Sequence, residues 1–341
     1  MLYLDGSFGE GGGQIVRTSL SLAALLTQPV RLSNIRAGRP KPGLRPQHLT
    51  VVEALARLTR AEVTGAELHS QQLTFRPRGT VAGNYLFDVA AKTGSAGSVT
   101  LIAQALLPPL LRAARPSTLV LKGGTHVPWS PPAHYLLQVF LPALTEMGAR
   151  VEMSLGRWGW YPRGGGEISL TIEPAARLAP VRWTAPPPVS RFEALSAASG
   201  VPAHVPARQA HRLKERLGAD FRVTEVLAAS RDPGSFVFIW GPGGGFGALG
   251  ARGKPAERVA DEAADAFLDY AGHKAALDRH LADQIVLYLA LAEGPSSFTV
   301  EEVTSHLLTN LWVLEQFLGE TFKVAGKLGE PGEIHCAGRR F

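Results

Sequence analysis

This chain has little of several things. It has one cysteine, Cys336, among 341 residues, which excludes an intramolecular disulfide framework and any zinc cluster built on cysteines and suits a reducing compartment. No apolar stretch approaches the ~20 residues needed to cross a bilayer. The longest, VTLIAQALLPPLLRAA, is broken by Pro108, Pro109 and Arg112. The start, MLYLDGSFGEGGG, lacks a basic segment followed by an apolar one and a small-residue cleavage site, so no signal peptide is expected. A soluble, cytoplasmic protein follows, with no membrane partner. Charge is sparse as well. Lys and Arg outnumber Asp and Glu by 35 to 29, for a net charge of +6 and a pI near 9.6. That bias suits a polyanion without the charge density of a histone-like binder.

What is present is a pattern that recurs three times. A glycine-rich turn opens a helix, a second helix follows, and a strand pair closes the unit. The first copy reads QIVRTSLSLAALL, LRPQHLTVVEALARLT and EVTGAELHSQQLTFRP. The second reads SAGSVTLIAQALLPPLL, HYLLQVFLPALTEMG and ARVEMSLGRWGWYPRGGGEISLTI, and the third LADQIVLYLALA, HLLTNLWVLEQFL and TFKVAGKLGEPGEIHCAG. Gln14, Ile15 and Val16 recur in register as Gln284, Ile285 and Val286. Between the second and third copies, bounded by the proline-rich VRWTAPPPVS, lies a segment that reads as a small inserted α/β module. The expected fold is thus α/β (α+β). Residues 1–182 and 276–341 form a large domain of three repeats, and 183–275 form the insertion.

Three segments carry chemistry. In DGSFGEGGGQIVR, glycines precede a helix whose free N–H groups favour a phosphate, and Glu10 and Arg17 add a metal-suited carboxylate and a phosphate-suited guanidinium. In IRAGRPKPGLRPQH, prolines stiffen a loop bearing Arg36, Arg39, Lys41 and Arg45, followed by Gln47 and His48. The same residues would also serve a solvated basic loop. In the last repeat, Asp283, Gln284 and His306 each stand near a helix start. A neutral histidine can attack the α-phosphorus of ATP and form a labile phosphoramidate, although a histidine at a helix start is more often a cap or a core residue.

GEGGGQIVR, IRAGRPKPGLRPQH, GSAGS, KGGT, PRGGGE, LADQ and SHLLTN, in that order, resemble the RNA 3′-terminal phosphate cyclase family over nearly the whole chain. The resemblance implies three βαβαββ units and an inserted domain of thioredoxin-like topology. It also implies a reaction in which AMP passes from ATP to His306, then to an RNA 3′-phosphate, and leaves as a 2′,3′-cyclic phosphate forms. ATP as a substrate, Mg2+ or Mn2+ as the cation and RNA with a 3′-phosphate end as partner come with it, while the oligomeric state stays open. By the family pattern Glu10 serves the metal, Arg17, Arg36 and Arg39 bind phosphate groups, and Gln47 and His48 line the same pocket. Gln104 and the segment His280, Leu281, Ala282, Asp283 and Gln284 match ATP-contacting positions, and Pro131 and Tyr135 flank the adenine. Two positions depart from the pattern. His280 replaces a tyrosine, which would make nucleotide stacking pH-dependent, and His126 follows KGGT where an Asp or Asn is expected. Two rivals are a cyclase-like ribosomal RNA-processing protein, which lacks the nucleophile, and an enolpyruvyl transferase, which needs no covalent nucleotide.

Overall fold

The computed structural model describes residues 1–89 and 96–339, so Gly94 and Ser95 of the GSAGS motif lie outside the described residues. Helices pack on four small mixed sheets of four strands each, a mixed α/β fold. The first sheet is built from β1 (Leu2–Asp5), α1 (Gly13–Leu26), β2 (Val30–Ser33), α2 (Pro46–Thr59), β3 (Glu62–Thr64) and β4 (Leu73–Arg76). Helix α1 returns the chain so that β1 and β2 run parallel, while β4 pairs antiparallel with β2 and β3 and gives the order β1-β2-β4-β3.

The second sheet comprises β5 (Asn84–Asp88), α3 (Val99–Leu111), β6 (Ser117–Gly123), a helix, β7 (Val151–Arg157) and β8 (Gly166–Ile172). That helix starts as α4 (Ala133–Tyr135), passes through a π-helical stretch at Leu136–Phe140 and ends as α5 (Leu141–Glu146). The strand order is β5-β6-β8-β7. Next in sequence come β9 (Arg182–Trp183), β10 (Glu193–Ser199), α6 (His204–Leu217), β11 (Val223–Leu227), β12 (Gly234–Gly241), β13 (Gly244–Leu249) and α7 (Ala256–His273). The chain ends with α8 (Arg279–Ala290), β14 (Ser296–Val300), α9 (Ser305–Leu318), β15 (Phe322–Ala325) and β16 (Gly332–Cys336).

β9 does not pair with the strands that follow it. It runs parallel to β14, in a sheet ordered β15-β16-β14-β9, whereas β10 to β13 form their own sheet, β11-β10-β12-β13. Trp183 thus stands opposite Phe298. A two-residue strand beside a run of prolines has no alternation that sequence can reveal.

Strand periodicity explains how the β10–β13 sheet sits. On β10 and β12, Ala194, Val237 and Ile239 face a local core with Leu213, Phe246, Phe267 and Tyr270, while Leu195, Ala197, Phe236 and Phe238 join the main core. Helix α1 packs on α2, α3 and α9, and α9 also packs on α8. Their buried faces include Ile15, Leu20, Val52, Ile102, Ile285 and Leu307. This packing brings the first turns of α1, α2, α8 and α9 to one place.

Candidate active site

Those four helix starts line a cleft of about 1270 Å³ that also meets β12, β13 and α7. Gly13 and Gln14 come from α1, Gln47 and His48 from α2, Arg279 and His280 from α8, and His306 from α9. Unpaired N–H groups and positive dipole ends at helix starts favour an anion. Arg17, Arg36, Arg39 and Arg45 add guanidinium groups, and Glu10 and Asp283 are carboxylates of the same wall.

His306 is the second residue of α9, whose start is capped by Thr304 Oγ1 accepting from Leu307 N at 3.0 Å. Its Nδ1 lies 3.0 Å from Gln14 Oε1 and 3.5 Å from Glu10 Oε2. Both neighbours are acceptors, so Nδ1 carries the hydrogen and the lone pair of the neutral ring is on Nε2. Partial burial, then Arg17, Arg39 and His280, lower the pKa of His306. The neutral ring is thereby favoured at pH 7, and half of its surface is open to the cleft.

Glu10 is anchored from two sides. Its backbone N–H donates to Thr309 Oγ1 at 3.0 Å, one turn along α9 from His306, and Arg39 pairs with its Oε1. Glu10 Oε2 is buried with no hydrogen-bond partner. Arg36 spends Nη1 bracing its own loop, donating to Lys41 O at 2.8 Å and Gly43 O at 2.9 Å, while still lining the cleft. Burial brings Arg17 down to about 10, partly offset by Asp283, so it stays charged at neutral pH. Burial and then Asp278 push Asp283 up to about 8, with Arg17 opposing.

His48 is fully enclosed. Its Nδ1 accepts from Arg45 N at 3.0 Å in a reciprocal cap on α2. Burial first, then Arg17, Arg36 and Arg45, drive it down to about 3. It is therefore a neutral N–H donor at the cleft wall. Gln104 and Gln284 hydrogen-bond to each other across the cleft. His280 is exposed, whereas the side chains of Leu281 and Ala282 face the core and are not among those lining the cleft. Pro131 lines the cleft, and Tyr135 is buried in its floor with the hydroxyl donating to Asp278 at 2.8 and 3.0 Å. Buried Asp278 also accepts from Gly245 N of β13 and caps α8 through His280 N and Leu281 N, tying the β10–β13 sheet to that helix start.

His126 lies away from solvent, stacked on Trp158 with ring centroids 4.1 Å apart. It is hydrogen-bonded through Nε2 to His134 Nδ1 at 2.9 Å. Burial lowers both histidines, His134 to about 4. The departure after KGGT thus fills an aromatic cluster shared with Phe236.

Several residues of the wall went unnoticed in the sequence. Gln14 orients His306, a role signalled only by its recurrence as Gln284. Asn310, four residues after His306 and so on the same helix face, donates to Asp283 O at 2.6 Å and accepts from Thr18 Oγ1 at 2.7 Å. Among the described residues, Asp269, His273 and Glu301 also lie together, with ligand-type atoms within 4.8 Å of one another, and Glu10 is not in that group.

Residues 8–324 match the protein family described as RNA 3′-terminal phosphate cyclase. Relatives of that name include one from Methylococcus capsulatus, 48% identical over 328 residues that cover 93% of this chain and 91% of the relative. Another, from Thermococcus onnurineus, is 45% identical over 346 residues covering 99% of each chain. A third, from Pyrococcus furiosus, is 42% identical over 341 residues covering 98% of each. The likeness to a solved EPSP synthase from Acinetobacter baumannii is weak. Its TM-score is 0.30 at 12% identity, over 95% of this chain and 62% of that one.

Proposed function

Because the chain belongs to the RNA 3′-terminal phosphate cyclase family, we propose that it uses ATP to convert an RNA 3′-terminal phosphate into a 2′,3′-cyclic phosphate, carrying AMP on His306. The observation behind this reading is the pairing of His306 Nδ1 with Gln14 and Glu10, which leaves a nucleophilic lone pair on Nε2.

Phosphates of ATP lie among the four helix starts and Arg17, Arg36, Arg39 and Arg45. Nε2 of His306 attacks the α-phosphorus, a P–N bond forms, and the bond to the β-phosphate oxygen breaks with release of pyrophosphate. The ring becomes cationic, and Glu10 and Gln14 on its Nδ1–H stabilise that charge. A 3′-phosphate oxygen of the RNA then displaces His306 from the AMP phosphorus. The neighbouring ribose 2′-hydroxyl attacks the terminal phosphorus, loses its proton and expels AMP. Apolar residues of β12 and β13 with Pro131 and Tyr135 give the adenine a dry seat, beside His280 and the Gln104–Gln284 pair; Gln47 and the N–H of neutral His48 face the phosphates.

Glu10 fits a divalent cation, since Oε2 is a buried carboxylate oxygen that accepts no hydrogen bond and stands 3.5 Å from His306 Nδ1. Mg2+ or Mn2+ held there would supply neutralisation of the triphosphate charge. We further infer that the three sheets of like strand order are repeated βαβαββ units. The segment between β9 and α8 would then be an inserted domain of thioredoxin-like topology. The protein would work in the cytoplasm. Among the described residues, no helix is long and apolar enough to cross a membrane.

The test is incubation with α-labelled ATP and Mg2+ or Mn2+. Wild type should retain acid-labile label, and His306→Ala none. A chase with an oligoribonucleotide ending in 3′-phosphate should remove the label and yield a phosphatase-resistant end. Label kept by His306→Ala would refute the nucleophile, and no label on wild type would favour a cyclase-like protein without adenylyl transfer.

A further inference from the structure

One residue of the cleft has no part in this scheme. Trp129 is 95% exposed, the most open of the large apolar side chains among the described residues. Its backbone has φ +60°, a left-handed conformation that costs an L side chain and that glycine or asparagine would adopt more easily. Flexibility does not account for the exposure. Thr100 Oγ1 donates to Pro131 O at 2.7 Å, Ser130 Oγ to Val127 O at 3.1 Å and Ala133 N to Thr125 O at 2.8 Å, and Pro128, Pro131 and Pro132 stiffen the rest. A braced, strained loop thus holds a bare indole at the rim of the cleft that contains His306.

We propose that Trp129 is a stacking platform for an unpaired base at the 3′ end of the RNA, an inference that rests on the reading of the cleft given above. Aromatic faces take any base by stacking. One part of the cleft wall, with Phe236, Phe238 and buried Tyr135, is apolar and suits the adenine of ATP. A polymer whose last phosphate reaches His306 leaves through the rim, and a base that passes over the Pro128–Pro132 side of that rim meets Trp129. Stacking there would orient the terminal ribose without reading sequence.

Steady-state rates and His306 labelling are compared for wild type, Trp129→Ala and Trp129→Phe. The substrates are 3′-phosphorylated oligoribonucleotides, either intact or abasic at the last two nucleotides. Loss of the indole should raise KM for intact RNA about 5- to 150-fold, the range of one base–aromatic stack. The ATP dependence of His306 labelling should stay that of wild type, and Trp129→Phe should recover much of the loss. Abasic RNA should be penalised similarly with wild type but no further with Trp129→Ala, since each change removes the same contact. An unchanged KM for RNA, additive penalties, or a matching loss of ATP affinity would each overturn the platform. Equilibrium binding of a fluorescein-labelled 3′-phosphorylated RNA needs no turnover. It judges Trp129 by the same comparison even if His306 takes no label, so the two readings fail separately.

Discussion

Replacing His134 by glutamine should make the protein less sensitive to acid. In the folded chain burial holds His134 at about 4, with Nδ1 against His126 Nε2, whereas in the unfolded chain it titrates near 6.5. Below pH 6.5 the unfolded state therefore binds a proton that the folded state refuses, and stability falls with pH until about 4. The two values imply a loss of about 2 kcal/mol at most from this one group between pH 7.5 and 5. Glutamine keeps hydrogen-bonding atoms at the site but cannot titrate. Asp283, held near 8 when folded, has the opposite sign, because its folded form takes up the proton and gains stability as pH falls. It is common to both proteins and cancels in the comparison. Urea unfolding of wild type and His134→Gln at the two pH values supplies the test. Wild type should lose about 2 kcal/mol more than the variant on acidification. Curves that shift in parallel would show that His134 is not held neutral by the fold.

Two further outcomes follow from single contacts. An added Cβ at Gly13 would lie 2.2 Å from His48 Nε2, and His48 is fixed by its hydrogen bond with Arg45 N. Gly13→Ala should therefore cost about 1–3 kcal/mol in urea unfolding and weaken ATP binding in a filter assay; wild-type values for both would refute the contact. Cys336 is buried and its thiol is pushed up to about 11. It should resist a thiol-reactive disulfide reagent at pH 8 in the native protein and react fully in urea, whereas rapid native reaction would contradict its burial.

Much of the candidate site was legible in local sequence because the relevant signals are local. Glycines before α1, a proline-stiffened run with Arg36 and Arg39, and Thr304 with His306 at the start of α9 each announce themselves within a turn or two of chain. Leu281 and Ala282 were not resolved this way. A short motif marks a helix start but does not say which residues of that turn face the core, and here both are buried while His280 is open.

By itself the sequence determined the main helices, the strand pairs that close each repeat and the anion-suited helix starts, since periodicity and capping act between near neighbours in the chain. The family resemblance singled out His306, and short strands such as β9 stayed hidden. Tertiary structure decided which groups meet. Gln14 and His306, 292 residues apart, touch because α1 packs on α9. That contact sets the tautomer of the histidine. Burial was decided at the same level. The same residue type is enclosed and neutral at His48 and half-open at His306 because packing distributes water unequally among side chains that look alike in sequence.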